Sequence, residues 1–176
     1  GGPAGMLIRL ALSKRLRGHG GSYHSEGEEL PAAGEVDSNT LALLYAADRT
    51  DHLATEIQPN LRNGRVVICD RYLMSTIAYQ GLTAEEEWLY AINRHAPSPD
   101  LCIYLDVPVE HALQRMAGTR WTRDLYEEED KLRLIRDRYL ALVREARPVF
   151  GPVVTIDASE AADQVAKAVQ STVEPV

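Results

Sequence analysis

Three short, mainly apolar runs, the first of them rich in β-branched residues at 66–69, interrupt a chain whose other apolar positions recur every three or four residues. The runs are 65–69 (RVVIC), 101–105 (LCIYL) and 153–156 (VVTI). Unbroken apolarity over that length predicts strands covered on both faces of a parallel sheet. Between the runs the period is helical. Residues 3–16 start on a proline suited to a first turn and predict a helix. Asp37 or Ser38 can cap a second helix running to about Leu61, with Gly64 placed to end it. After the first strand comes a helical stretch over 74–80. Thr83 and Glu86 then have the spacing of a capping box for a helix that carries Trp88, Leu89 and Ile92 on one face and closes at Pro97. A helix from about Pro108 to Met116 follows. A long amphipathic helix over 126–146 repeats Leu132, Ile135, Tyr139 and Leu142 on one face, and a last helix covers about 160–172. Helices alternating with buried strands make an α/β fold, a parallel sheet with helices on both faces. Residues 18–34, GHGGSYHSEGEELPAAG, have the composition of an exposed loop and are expected to be the least ordered internal segment.

Composition narrows the class. At 176 residues and 45% hydrophobic content the chain can bury one substantial core and is expected to form a single domain. A formal charge of -7 and a pI near 5.2 argue against a nucleic-acid surface or an anionic membrane as partner, although a local arginine cluster can still hold a small anion. No apolar segment approaches membrane-spanning length, and the first residues lack the charged and apolar regions of a signal peptide. Cys69 and Cys102 each sit inside an apolar run and not in a C-x-x-C pair, so they read as small buried hydrophobes, compatible with a reducing cytoplasm. His24 with Glu26, Glu28 and Glu29 has metal-ligand chemistry, but in that loop it reads as a solvated cluster.

The candidate chemistry lies where the strands end. Asp70 and Arg71 follow the first run directly, in the crevice where open α/β sheets collect their ligands. Arg71 can clamp a phosphate and Asp70 can hold a hydrated magnesium ion, or the two can form an ion pair that closes the strand. Tyr45 and Arg49, four residues apart on one helix face, can cradle a planar heterocycle or be a half-buried tyrosine beside a surface arginine. Thr76 and Tyr79 fall on one helical face and offer two hydroxyls to a ligand, or serve packing and capping. Arg115, Arg120 and Arg123 surround a Gly-Thr point; such arginines can fold over a polyphosphate or lie in a solvated loop.

The segments LLYAADRTDH, VVICDRYLMSTIAYQG, PDLCIYLDVPVEHALQRM, the arginine loop and VVTIDASE occur in an order and at a spacing that resemble thymidylate kinase, and a bacterial member of that family in particular. The resemblance runs from the first residues to about Glu160, with Asp-Arg-Tyr and the downstream Tyr-Gln-Gly as its most specific part. It implies a three-layer P-loop NTPase-like nucleoside monophosphate kinase fold, phosphorylation of dTMP to dTDP by ATP with Mg2+, a homodimer and a cytoplasmic location. By motif position, Tyr45 matches the aromatic on the thymine ring, Arg49 the residue at the base edge, and Arg71 the arginine on the substrate phosphate. Asp70 matches the acid near magnesium, and Thr76 and Tyr79 match contacts to base and sugar. Arg120 and Arg123 match the lid over ATP, at about 117–125, with Arg123 among the catalytic groups. Asp157, Ala158 and Ser159 resemble the turn beside the adenine. Tyr45 stands where phenylalanine is more usual, and Thr76 where Asn or Ser is more usual.

The 176 residues contain no G-x-x-x-x-G-K-[ST], the motif whose backbone N–H groups and lysine surround nucleotide phosphates. The opening GGPAG resembles instead the family's Pro-Gly-Gly segment after the second strand. On that alignment the sequence begins after the first strand, phosphate loop, first helix and second strand, about 30–40 residues by the usual size of a βαβ element. The absent first strand is expected in mid-sheet, between 65–69 and 101–105. A kinase for another pyrimidine nucleotide or nucleoside, and a non-catalytic binding or structural protein that has lost its phosphate loop, are the rival readings.

Overall fold

The computed structural model describes residues 6–8, 36–117 and 125–174, and the chain divides into two compact units, Gly1–Ala96 and Pro97–Val176. Of the helix expected over 3–16, only residues 6–8 are described, and they are helical. The 18–34 loop lies outside the described residues.

In the first unit, helix α1 spans Ser38–His52. Asp37 is its N-cap, its Oδ2 accepting from the Thr40 N–H at 2.8 Å, which satisfies one of the donors a helix start leaves open. The helical path then widens into a π turn at Leu53–Ile57 and continues as α2, Gln58–Arg62. Pro59 has no N–H to return to the preceding turn, and the extra residue of the π segment accommodates that loss while keeping Leu53 and Ile57 buried. Gly64, at φ 71°, ends the path as expected: only a residue without a Cβ enters this left-handed conformation freely. Helix α3, Leu73–Gln80, buries Leu73, Met74, Ile77 and Ala78. Helix α4, Glu86–Ile92, starts later than the capping-box pattern predicts. Its N-cap is Glu85, without a side-chain cap bond, and the Thr83 hydroxyl turns back to the Gln80 carbonyl.

The second unit carries the sheet of the described residues, two parallel strands: β1, Cys102–Asp106, and β2, Val153–Asp157. Their register pairs Cys102 with Val153 and Asp106 with Asp157, so both strands end on an acid at the same edge. Helix α5, Val109–Ala117, packs on α6, Leu125–Glu145, and α7, Ala162–Val173, follows β2. The expected face of α6 is the inward one, with Leu142 fully buried, Ile135 nearly so, and the Tyr139 ring stacked on Tyr104 of β1 at 5.1 Å between centroids. Phe150, in a 3-10 turn at Pro148–Phe150, completes this core.

The first expected strand is corrected. Residues 65–69 form no ladder and lie outside the sheet, and Val66 and Ile68 are 84% and 92% exposed. A strand is stabilised by the neighbour it bonds to, and apolar β-branched residues do not make one without it. The buried role expected for the cysteines fails for the same reason: Cys69 is exposed, while Cys102, in a paired strand, is half-buried, and both thiols are free. The parallel arrangement holds for 102–106 and 153–157.

Gly151, at φ 64°, follows the Phe150 turn, and a Cβ there would stand 2.1 Å from the Pro99 carbonyl oxygen. Gly151→Ala is therefore expected to destabilise the protein by about 2 kcal/mol or more, from backbone strain and overlap together. A thermal melt unchanged within error would refute this.

Candidate functional site

The first unit gathers five of the expected substrate residues. Tyr45 and Arg49 stand one turn apart on α1, Arg71 and Tyr72 occupy the bend before α3, and Thr76 and Tyr79 lie on α3. Two guanidinium–ring contacts interleave: Arg49 lies over the Tyr72 ring at 5.3 Å and Arg71 over the Tyr79 ring at 5.1 Å. Arg71 is also near enough to Tyr45 for its charge to oppose the upward shift that burial imposes on that phenol. Arg71 holds a left-handed backbone at φ 65°, unusual for a residue with a Cβ and of the kind that collects at functional sites. The bend carries its guanidinium over the Tyr79 ring. No ion pair joins Arg71 to Asp70 among the described residues, so the alternative in which the two close a strand is not what the fold contains.

Arg49 is held differently. Its Nη1 donates to Asn93 Oδ1 at 2.5 Å and its Nη2 to Thr76 Oγ1 at 2.6 Å. Burial pushes Arg49 below the ordinary arginine value, against the opposing pull of Tyr72, Asp48 and Cys69. Among the described residues no carboxylate forms an ion pair with it, and its Nε is shut off from solvent without a hydrogen-bond partner. Thr76 is buried and its Oγ1 accepts from Arg49, and an accepting hydroxyl keeps its own O–H as a donor. Asn93, at the end of α4, is the residue that sequence reasoning missed. A lone asparagine at a helix end reads as a C-cap, and only the fold brings it to Arg49.

Asp70 stands in the bend that follows residues 65–69, exposed. Among the described residues there is no cluster of three or more potential metal ligands. A single open carboxylate fits magnesium, which keeps most of its waters and uses one or two carboxylates together with phosphate oxygens. Arg120 and Arg123 lie outside the described residues.

In the second unit the two strand-end acids behave unalike. Asp106 accepts both branches of Arg136, Nε to Oδ1 at 2.7 Å and Nη2 to Oδ2 at 2.8 Å, and the Tyr104 hydroxyl at 3.2 Å. The Arg136 hydrogen bonds hold its carboxyl below the usual range, and burial together with Asp106 pushes the Tyr104 phenol well up. Asp157 folds over the next turn, accepting from the Ser159 N–H at 2.9 Å and the Ser159 hydroxyl at 2.6 Å. Arg115 Nη2 reaches the Ala158, Ser159 and Glu160 carbonyls at 2.9, 3.1 and 3.1 Å. Arg115, on helix α5, is thus fastened to this turn. His111, Gln114, Arg115 and Ser159 line a shallow cavity of about 320 Å³ beside the turn.

The thymidylate kinase family model matches residues 27–169. The chain belongs to the thymidylate kinase family. A protein of Staphylothermus marinus named "Probable thymidylate kinase" is 44% identical over 133 residues, 75% of this chain and 64% of its own length. One of the same name from Methanocaldococcus jannaschii is 43% identical over 119 residues, 67% of this chain and 60% of its own. Another from Pyrobaculum calidifontis is 38% identical over 176 residues, 99% of this chain and 78% of its own. The chain therefore spans somewhat under two thirds of the length of the first two relatives. Archaeal proteins dominate these matches, which do not support the particular resemblance to bacterial members. Among the described residues no helix is long and apolar enough to cross a membrane.

The Asp106–Arg136 pair generates a pH test. A carboxyl whose folded value lies below its ordinary 3.8 adds stability above that value, and the contribution disappears as pH falls through the folded value. Arg136→Gln is expected to lower stability by about 1–3 kcal/mol near neutrality, with the difference in Tm from wild type shrinking below about pH 3. An equal gap at both ends of the pH range would contradict the assignment.

Proposed function

We propose that the protein acts as a thymidylate kinase, passing the γ-phosphoryl group of ATP in line to the phosphate of dTMP, with Mg2+ as cofactor. The observation that carries the reading is the convergence of Tyr45, Arg49, Arg71, Thr76 and Tyr79 in one unit of a chain from this family. Family membership supports a nucleotide phosphoryl donor, and the relatives' names support dTMP as acceptor. In this reading the Tyr45 ring stacks on the base and Arg49 donates to its edge. The planar fork of Arg71 takes the phosphate, where little covalent work is needed and positioning and positive charge supply most of the catalysis. Bound magnesium would neutralise charge on the transferred group, and Asp70 would help to hold it. The Asp157–Ser159 turn, fastened by Arg115, belongs to the ATP side, together with Arg120 and Arg123; a homodimer in the cytoplasm completes the reading. Thr76, engaged by Arg49 where Asn or Ser is more usual, favours one alternative, a kinase that accepts another pyrimidine nucleotide as well.

Transfer needs a phosphate loop, and these 176 residues contain none. Residues 1–176 alone are therefore expected not to phosphorylate dTMP; turnover comparable to an intact homologue would refute this. In protein that supplies the loop, Arg71→Lys is expected to lower kcat/KM by roughly a hundredfold or more, because a point charge cannot reproduce the bidentate fork. Steady-state kinetics and a melt on the same preparation decide it: near-normal turnover of dTMP would show that Arg71 is misassigned.

A further inference from the structure

Among the described residues the Arg49 guanidinium pairs with no carboxylate, and two neutral oxygens bond to it. One belongs to Thr76, already expected at the site. The other belongs to Asn93, only 4% exposed, on a different helix and 44 residues away in sequence. The Asn93 amide cannot turn round without loss, because its Nδ2 donates to the Leu89 carbonyl at 2.8 Å. One side of the amide is tied to the helix and the other is left as an acceptor aimed at Arg49. We propose that Asn93 is a positioning residue for nucleotide recognition, fixing the Arg49 guanidinium for the base edge without touching the ligand. The inference rests on the reading of this unit as a nucleoside monophosphate site.

The residue type fits the task. An amide oxygen restrains a guanidinium while leaving its charge uncancelled, so the donor directions not spent on Asn93 and Thr76 remain strong for a ligand acceptor. A carboxylate in the same place would hold the group and also neutralise it. A side chain without an acceptor would leave Arg49 leaning on Thr76 and the Tyr72 ring alone, free to rotate.

The test is dTMP binding by calorimetry to the full-length protein, with melts on the same samples. Asn93→Ala is expected to weaken binding about tenfold. In an Arg49→Ala background the same change should add little, since residues acting as one unit are not additive. Asn93→Asp separates positioning from support of the helix end: it keeps an acceptor for Arg49 but sets a carboxylate against the Leu89 carbonyl. Positioning predicts that Asn93→Asp binds dTMP more tightly than Asn93→Ala even where it melts lower. A residue that only closes α4 predicts that aspartate is at least as damaging to binding as alanine. Wild-type protein that takes up no dTMP would overturn the site reading and this role with it. Wild-type protein that binds dTMP, with Asn93→Ala binding equally well or losing the same factor when Arg49 is already alanine, would overturn the role of Asn93 alone.

Discussion

A guanidinium taken largely out of water without an acid to meet it is an uncommon thing for a fold to build, because the desolvation cost is met only by hydrogen bonds and ring contact. Among the described residues Arg49 is in that position, and three helices of the first unit meet at it. Its two Nη groups join α1 to Thr76 on α3 and to Asn93 at the end of α4, and the Tyr72 ring covers its face. Remove those partners and the three helices lose the polar contact that sets them relative to one another. Among the described residues this largely desolvated cation forms no ion pair, so its charge is not cancelled by direct contact.

The neighbouring arginine is held by other means. Arg71 lies at the surface in a left-handed backbone, over a tyrosine ring, without an ion pair to Asp70 among the described residues. One arginine is immobilised for shape and the other is presented for charge. That division is compatible with the proposed roles, a base at one arginine and a phosphate at the other. In the second unit Asp106 is spent on Arg136 and Tyr104, so an acid at a strand end is a structural brace in one strand, while the exposed Asp70 is left available.

The sequence was readable where local rules decide. The Asp37 cap, the Gly64 stop, the inward face of α6 and the parallel pairing of β1 with β2 all follow from residue type and spacing. It misled where structure depends on a partner. Residues 65–69 have every intrinsic mark of a buried strand, but the ladder needs a neighbour that the pattern cannot provide, and Cys69 is exposed along with them. Capping at Thr83 failed because the chain spends residues 81–84 on a turn. Of the cluster in the first unit, Tyr45, Arg49, Arg71 and Tyr79 were singled out by their motifs. Asn93 was not, because what makes it important is a contact across 44 positions. The anchoring of Arg115 was hidden for a similar reason: three carbonyls of a remote turn hold it, and carbonyls leave no mark in a sequence.

The exposed run at 65–69 also bears on how the protein behaves in concentrated solution. Val66 and Ile68 are two residues apart, so in an extended backbone they project to the same side and make a narrow greasy strip beside main-chain groups that have no ladder. Strips of this kind join edge to edge between molecules and seed aggregates. Here the strip is four residues long and bracketed by opposite charges, Arg65 before it and Asp70 after it. Two copies that align it in parallel register bring like charges together at both ends. The two residues that bracket the strip therefore act as gatekeepers against parallel self-association, and neutralising Arg65 removes that barrier without altering a residue of the candidate site.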